Sequence, residues 1–454
     1  MTTTKQIQVS KNELDKVQYL TEVLPEIPTN TILYKKLTGL GATYGEITAK
    51  RNSIIIEPNV PVIIGKCNDP KHKDDNLFGV YEGVYTDDIV NYLEKSKKKY
   101  YKILTTPESF QKVKDAFEEL EMSAHCSCFL LFDECHKLVK DADYRNNITL
   151  PIDDFFKFDQ KALVSATPIE LNDPRFKEQN FKMIEIQPTF DYKKELWLHH
   201  TNNTLQALKT VLSKLDNEEA APLPICVFIN STDIIYSLMK QLDLLEDSAV
   251  FCAPKSVDKL KKNRFCNVYE EWNKDKMKRY NFFTSRFFNA VDMELEEQPH
   301  VIMLTDVYFA EHTMIDPYTD AIQIVGRFRN GVSSITYISN TKKGLPQRSK
   351  EEIKGYLICS KEIYRTMKNF YDCATDRASR DAYRAALESL PFNRMLDRNG
   401  RENWFAIDNY MDEELMKNYF YDENSLYKAY DNCDSFIVYH AGYYCPLGDS
   451  ERLK

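Results

Sequence analysis

The stretch "CFLLFDECHKL", residues 128–138, limits what this chain can fold into more than any other. Phe129–Phe132 is an unbroken apolar run and reads as a buried strand. In a parallel α/β sheet, ligands sit outside the carboxyl ends of the strands. This run ends by delivering Asp133 and Glu134 at that end. Two carboxylates so placed suit phosphoryl chemistry: Asp133 would hold magnesium through its water shell, and Glu134 would orient and deprotonate an attacking water. Acidic pairs after apolar runs also arise by chance, so other segments have to agree.

Two do. Thirty-two residues after Asp133, "KALVSATPIEL" repeats the design, a short apolar strand followed by Ser165-Ala166-Thr167. The hydroxyls of Ser165 and Thr167 could couple a nucleotide site to a neighbouring domain. Further on, Gln323, Gly326, Arg327 and Arg329 of "DAIQIVGRFRNG" fit the pattern Q-x-x-G-R-x-R. On a helix Gln323 and Arg327 share a face, and Arg329 reaches round from the next turn. Guanidinium groups entering from a second domain are what a developing phosphoryl charge requires.

A phosphate loop is present with one residue changed. Against A-x-T-G-x-G-K-T, "KLTGLGAT" keeps Thr38, Gly39, Gly41 and Thr43 but puts Ala42 where the lysine belongs. The glycines let backbone N–H groups face an anion, and Thr43 can ligate magnesium.

In this order, the loop at 36–43, D-E-C-H at 133–136, S-A-T at 165–167 and Q-x-x-G-R-x-R at 323–329 resemble a superfamily 2 helicase of the DEAD/DEAH-box kind. Weaker likenesses fill the gaps: "IIIEPNVPVIIGK", "ILTTPESF", "ICVFINS" and "FTSRFFNAVDM", the last with Ala290 where glycine is usual and Asp292 kept. The loop wording also resembles helicase-like proteins of bacteriophages and of mobile elements in gut Bacteroides. The resemblance implies two tandem RecA-like domains with parallel sheets, in an α/β chain that ends in a mainly helical region. It also implies ATP and Mg2+, the latter held by Thr43 and Asp133. Nucleotide would be bound by Lys36, Thr38, Gly39, Gly41 and Thr43. Catalysis would fall to Asp133, Glu134, Gln323, Arg327 and Arg329, and nucleic-acid contact to Thr105, Thr106 and Ser231. Nucleic acid is the expected partner, DNA ahead of RNA, with phage or replication-complex proteins as further candidates and no membrane. A host cytoplasmic or virion location follows.

Without the loop lysine three readings stay open. Lys36 or Lys35 supplies the charge from the other side of the loop, with Lys36 preferred. Alternatively the site binds weakly and turns over slowly, or the clamp is catalytically idle and serves as a binding or structural component. The intact Asp133-Glu134 pair and both arginines favour an ATP-driven helicase or translocase.

Length and charge fit this. The 454 residues allow several cores, placed at 1–190, 191–345 and 346–454. The polar start and short apolar runs predict neither a leader nor a membrane span. A net charge of −9 argues against wholesale polyanion binding but leaves room for a local track, for which "EKSKKKYYK" is the one basic block. Eleven cysteines without C-x-x-C spacing read as reduced thiols, and "HCSC" at 125–128 as a weak metal pattern. The many tyrosines of the tail read as core ahead of base-stacking platforms.

Overall fold

The computed structural model describes residues 3–13, 15–96, 99–142, 145–167, 170–217, 222–288 and 292–452. Two eight-stranded sheets, each with every pair parallel, form tandem RecA-like domains. The first contains β1 (Thr3–Val9), β2 (Thr31–Tyr34), β3 (Ser53–Ile56), β4 (Leu77–Val80), β5 (Lys102–Thr105), β6 (Phe129–Phe132), β7 (Gln160–Ser165) and β8 (Lys182–Pro188), in the order β1-β8-β2-β7-β6-β3-β5-β4. The second contains β9 (Lys194–Thr201), β10 (Ile225–Phe228), β11 (Ser248–Phe251), β12 (Val268–Tyr269), β13 (Tyr280–Phe283), β14 (His300–Thr305), β15 (Ser334–Ser339) and β16 (Phe436–Tyr443), in the order β12-β11-β13-β10-β14-β15-β9-β16.

Apolar runs make the central strands because both faces of each sheet are covered. In β6, Leu130 and Phe132 enter one core while Phe129 and Leu131 enter the other. In β3, Ile54 and Ile56 join the first of these cores and Ile55 the second. The second sheet is built alike: Cys226 and Phe228 of β10 face one core, and Ile225 and Val227 the other.

Strand order is what assembles the site. β2, β7 and β6 are immediate neighbours, so the loops leaving their carboxyl ends meet, although Thr43 and Asp133 lie 90 residues apart in the chain.

The C-terminal segment is mainly helical, with Lys350–Cys373 and Arg377–Ser389 packed as a hairpin, then Trp404–Lys417 and Glu423–Asp431. It does not stand apart from the sheets. Phe405 and Ala406 complete a core of the first sheet, whereas Phe420, Leu426 and Tyr430 enter a core of the second. β16 then pairs with β9, so the second sheet draws a strand from beyond residues 191–345. One cation links all three parts: Lys140 Nζ lies 2.6 Å from Asp316 Oδ2 of the second domain and 2.6 Å from Asp412 Oδ2 of the C-terminal helix.

The smaller motifs settle locally. Lys102 of the basic block is buried, donating to the Glu46 carbonyl (2.7 Å) and Ser53 Oγ (3.0 Å), and burial lowers its pKa to about 8. Lys97, Lys98 and Ala290 lie outside the described residues. Cys126 is exposed and Cys128 buried, and no cluster of His, Cys, Asp and Glu suited to a metal occurs among the described residues. Tyr430 is fully buried, its ring 4.8 Å from that of Tyr337, while Tyr439 and Tyr444 are exposed. No described helix is long and apolar enough to cross a membrane.

Candidate nucleotide site

The loop after β2 turns tightly enough to need left-handed backbone at three places, Lys36 (φ +57°), Gly39 (+76°) and Gly41 (+80°). At the glycines this conformation carries no Cβ penalty. Gly41 caps the helix Ala42–Thr48, and Thr43 in its first turn donates a hydrogen bond from Oγ1 to Asp133 Oδ2. Thr43 and Asp133 thus present a hydroxyl and a carboxylate side by side, both buried. So few protein ligands, all hard oxygen donors, fit magnesium, which keeps waters and takes further oxygens from phosphates. Burial opposes ionisation of Asp133, but the nearby Lys35 and Lys66 ammonium groups and the Thr43 hydrogen bond hold its carboxyl below the usual range.

Glu134 also adopts left-handed backbone, φ +48°, and its amide donates to Asp133 Oδ1 (2.9 Å). Strained backbone at a non-glycine residue persists only where the surroundings enforce it. Its carboxylate lies 3.3 Å from His136 Nδ1, and that ring nitrogen is 3.2 Å from Ser165 Oγ. Ser165 Oγ also accepts from the Thr167 amide (3.1 Å). Burial lowers the His136 pKa to about 4, so the imidazole is neutral near pH 7. His136, Ser165 and Thr167 therefore form one hydrogen-bonding series running from β6 to β7, with the Glu134 carboxylate beside it.

The second domain reaches this site. Gln323 Nε2 donates to Glu134 Oε2 at 3.5 Å across 189 residues. Thr38 Oγ1 donates to the Gly326 carbonyl (3.3 Å), and a methyl group on Gly326 would come within 2.7 Å of Thr38. Arg329 overlies the loop, since a methyl group on Gly39 would lie 2.5 Å from its Nη1. The helix Asp320–Gly326 ends before the arginines, so Arg327 caps it and Arg329 extends beyond it. Gln323 Oε1 accepts from Arg327 Nη2 (2.9 Å), and Asp292 holds both guanidinium groups, at 3.3 Å from Arg327 and 2.7 Å from Arg329.

Two expectations change. Lys36, the expected loop cation, is engaged elsewhere: its Nζ pairs with Glu185 Oε1 (2.9 Å) and donates to Gln187 Oε1 (3.0 Å), both on β8. Its neighbour Lys35 instead places Nζ 3.7 Å from Asp133 Oδ1 and 3.9 Å from Glu134 Oε1. Burial works against the Lys35 charge, but these two carboxylates outweigh it and raise its pKa above the ordinary lysine value. Thr105 and Thr106, expected at a nucleic-acid surface, are buried; Thr105 ends a strand covered on both sides and donates its hydroxyl to the Thr106 carbonyl (3.1 Å).

Ser231, by contrast, caps the helix Thr232–Gln241 and lines a groove of 990 Å³ between the two domains. Segments at the carboxyl ends of both sheets form it, including residues 58–61, Lys137, Lys140, Asp141 and Arg145, residues 230–233 and residues 284–286. Its lining is electrically balanced, with Lys137, Lys140, Arg145, Arg286 and Lys417 set against Asp141, Asp233, Glu311, Asp320, Asp412 and Glu413.

Neither a protein-family model nor a curated protein matches the chain. Among solved structures, Saccharomyces cerevisiae Dbp5 bound to RNA and ADP BeF3 is similar at 13% identity and TM-score 0.43, over 86% of this chain and 90% of that one. A DEAD box protein from Methanococcus jannaschii shows 14% identity and TM-score 0.34, over 69% and 82%. The Hef helicase domain of Pyrococcus furiosus shows 10% and 0.40, over 69% and 92%. The chemistry is carried by the side chains described above.

Proposed function

We propose that this chain is a nucleoside-triphosphate hydrolase that moves along or unwinds nucleic acid, in the manner of superfamily 2 helicases. The observation that carries the reading is the meeting of Gln323 and Arg329 from the second domain with Glu134 and the Gly39 loop of the first. A site divided between two domains couples the state of its ligand to their separation. In the reaction, Glu134 takes a proton from water as the water oxygen bonds to the γ-phosphorus. The bond from that phosphorus to the bridging oxygen breaks, and its electron pair leaves with the diphosphate. Arg327 and Arg329, held by Asp292, stand ready for charge that grows on the γ-phosphoryl oxygens. Magnesium, when bound by Thr43 and Asp133, would neutralise phosphate charge.

Nucleic acid would lie in the groove that Ser231 and the strand-end loops line. Its balanced charge favours backbone and hydroxyl contacts over a lysine-rich track. The test is phosphate release from ATP with and without single-stranded DNA or RNA. Stimulation by either polymer supports the reading, and the stronger stimulant names the substrate. Ala42 favours a second reading, a clamp that binds nucleic acid within a phage or mobile-element assembly without turnover. Tight polymer binding indifferent to ATP would select it.

A further inference from the structure

The loop helix begins at Ala42, a buried residue that offers the outer phosphates neither charge nor a side-chain donor. A phosphate loop of backbone amides alone lacks the charge-assisted contact that grips the β- and γ-phosphoryl oxygens. We infer that Lys35, the residue leaving β2, supplies this contact and binds the outer phosphates of a nucleoside triphosphate from the strand side of the loop. The inference rests on the nucleotide site proposed above and names the residue that completes it.

Position comes first. The Lys35 amide donates to the Ser165 carbonyl (2.8 Å), which fixes its backbone to β7 beside the Ser165–Thr167 segment. From there Nζ lies between the two carboxylates that would flank the reacting phosphoryl group, 3.7 Å from Asp133 and 3.9 Å from Glu134. Both separations exceed a hydrogen bond. The ammonium is held in the field of both groups without being committed to either, and it can turn its protons to incoming phosphate oxygens.

Elimination agrees. Lys36 is tied to Glu185 and Gln187 on β8, which borders β2 on the side away from β7 and β6. Lys66 is paired with Glu57 at 3.2 Å. Arg327 and Arg329 belong to the second domain and are held by Asp292, so their approach depends on domain closure. Among the described residues, Lys35 is the first-domain lysine whose Nζ lies within 4 Å of both Asp133 and Glu134. With only 7% of its side chain exposed, it acts where water screens its charge least.

The electrostatics explain why a lysine sits so deep. Asp133 and Glu134 without a cation would repel each other and any phosphate. Lys35 offsets that repulsion before nucleotide arrives and remains beside the phosphates afterwards. Moving the cation from the helix start to the strand end keeps it on the same loop, at the loop's opposite end.

The test uses the full chain with Lys35→Met, which keeps most of the side-chain stem and removes the charge, beside Lys36→Met. ATP turnover should fall about 100-fold in Lys35→Met, the loss typical of deleting one transition-state donor. Turnover in Lys36→Met should stay near that of the parent. A purely structural role would weaken the affinities for ADP and for a slowly hydrolysed ATP analogue alike. A phosphate role lowers the analogue's affinity at least about tenfold more, as expected for a lost charge-assisted bond. Adding Ala42→Lys to Lys35→Met should restore part of the preference for triphosphate, whereas Ala42→Lys alone should bring no gain. Parent-like turnover in Lys35→Met, or equal loss of both nucleotides, overturns the assignment. A parent chain that binds no nucleotide at all overturns the site itself and this assignment with it.

Discussion

Replacing Lys140 with methionine should show how firmly the three parts of the chain are joined. Lys140 bonds Asp316 and Asp412 at 2.6 Å each, and the half-buried Asp320 lies close enough to feel its charge. Lys140→Met leaves those carboxylates without a cation. Removing one partner of a buried ion pair costs about 3–5 kcal/mol, and the 18% exposure of the Lys140 side chain argues for the lower end, about 3 kcal/mol near pH 7.5. The deficit should shrink on acidification. Without Lys140 the folded-state carboxylate pKa values move up, so the folded variant binds more protons than the unfolded chain as pH falls. By about pH 5 roughly half of the loss should be recovered. Equilibrium urea unfolding, read at the tryptophans, supplies the numbers, and Trp404 reports from the start of the C-terminal helix that carries Asp412. A loss below about 1 kcal/mol, as for an exposed pair, would show that Lys140 does not hold the three parts together. A loss of equal size at both pH values would contradict the electrostatic origin of the deficit.

Three further outcomes are expected. Arg327→Ala and Arg329→Ala should each lower turnover by about 10²–10³ while ATP affinity changes less than tenfold, and proportional losses in both would contradict their assignment to the transition state. Nucleic-acid affinity should fall with salt at a log–log slope no steeper than about −3, since few of the groove's cations are uncompensated; a slope near −6 would mean a basic track has been missed. Burial raises Glu57 and Asp408 to about 7 and Asp320 to about 6, above their unfolded values near 4. Asp408 gains a proton on folding, whereas buried neutral His136 and His199 act in the opposite sense, so the parent is compared with Asp408→Asn. The parent's unfolding free energy should gain on the variant's as pH is lowered from about 8 to about 5, and an unchanged difference would refute the Asp408 shift.

The sheet centres were legible because strands covered on both faces carry unbroken apolar runs. "FLLF" and "KALVS" needed no alignment to be read, and the polar groups at their carboxyl ends followed from chain direction. The edges were less legible. β16 pairs with β9 from more than two hundred residues away, and half of its residues are exposed, so its pattern resembles a loop. Lys35 and Lys36 show a finer limit. Neighbouring residues leaving a strand project to opposite sides, and the choice between them depends on whether β7 still holds the first one's amide. Composition carries no trace of that bond. Thr105 and Thr106 were misplaced for a similar reason, since a threonine that ends a fully covered strand looks the same in sequence as one at a surface. The acidic C-terminal helix that supplies Asp408 and Asp412 to the first domain had no motif to announce it.

The proposed reaction rests on two domains sharing one hydrolytic site whose base is Glu134. Its most direct test is steady-state phosphate release by the parent chain and by Glu134→Gln, with ATP affinity measured in parallel. The parent should turn over ATP, and Glu134→Gln should lose about 10²–10⁴ in rate, the usual contribution of a general base, while binding ATP within a few-fold of the parent. A variant as active as its parent, or a parent with no turnover, would contradict the proposed reaction.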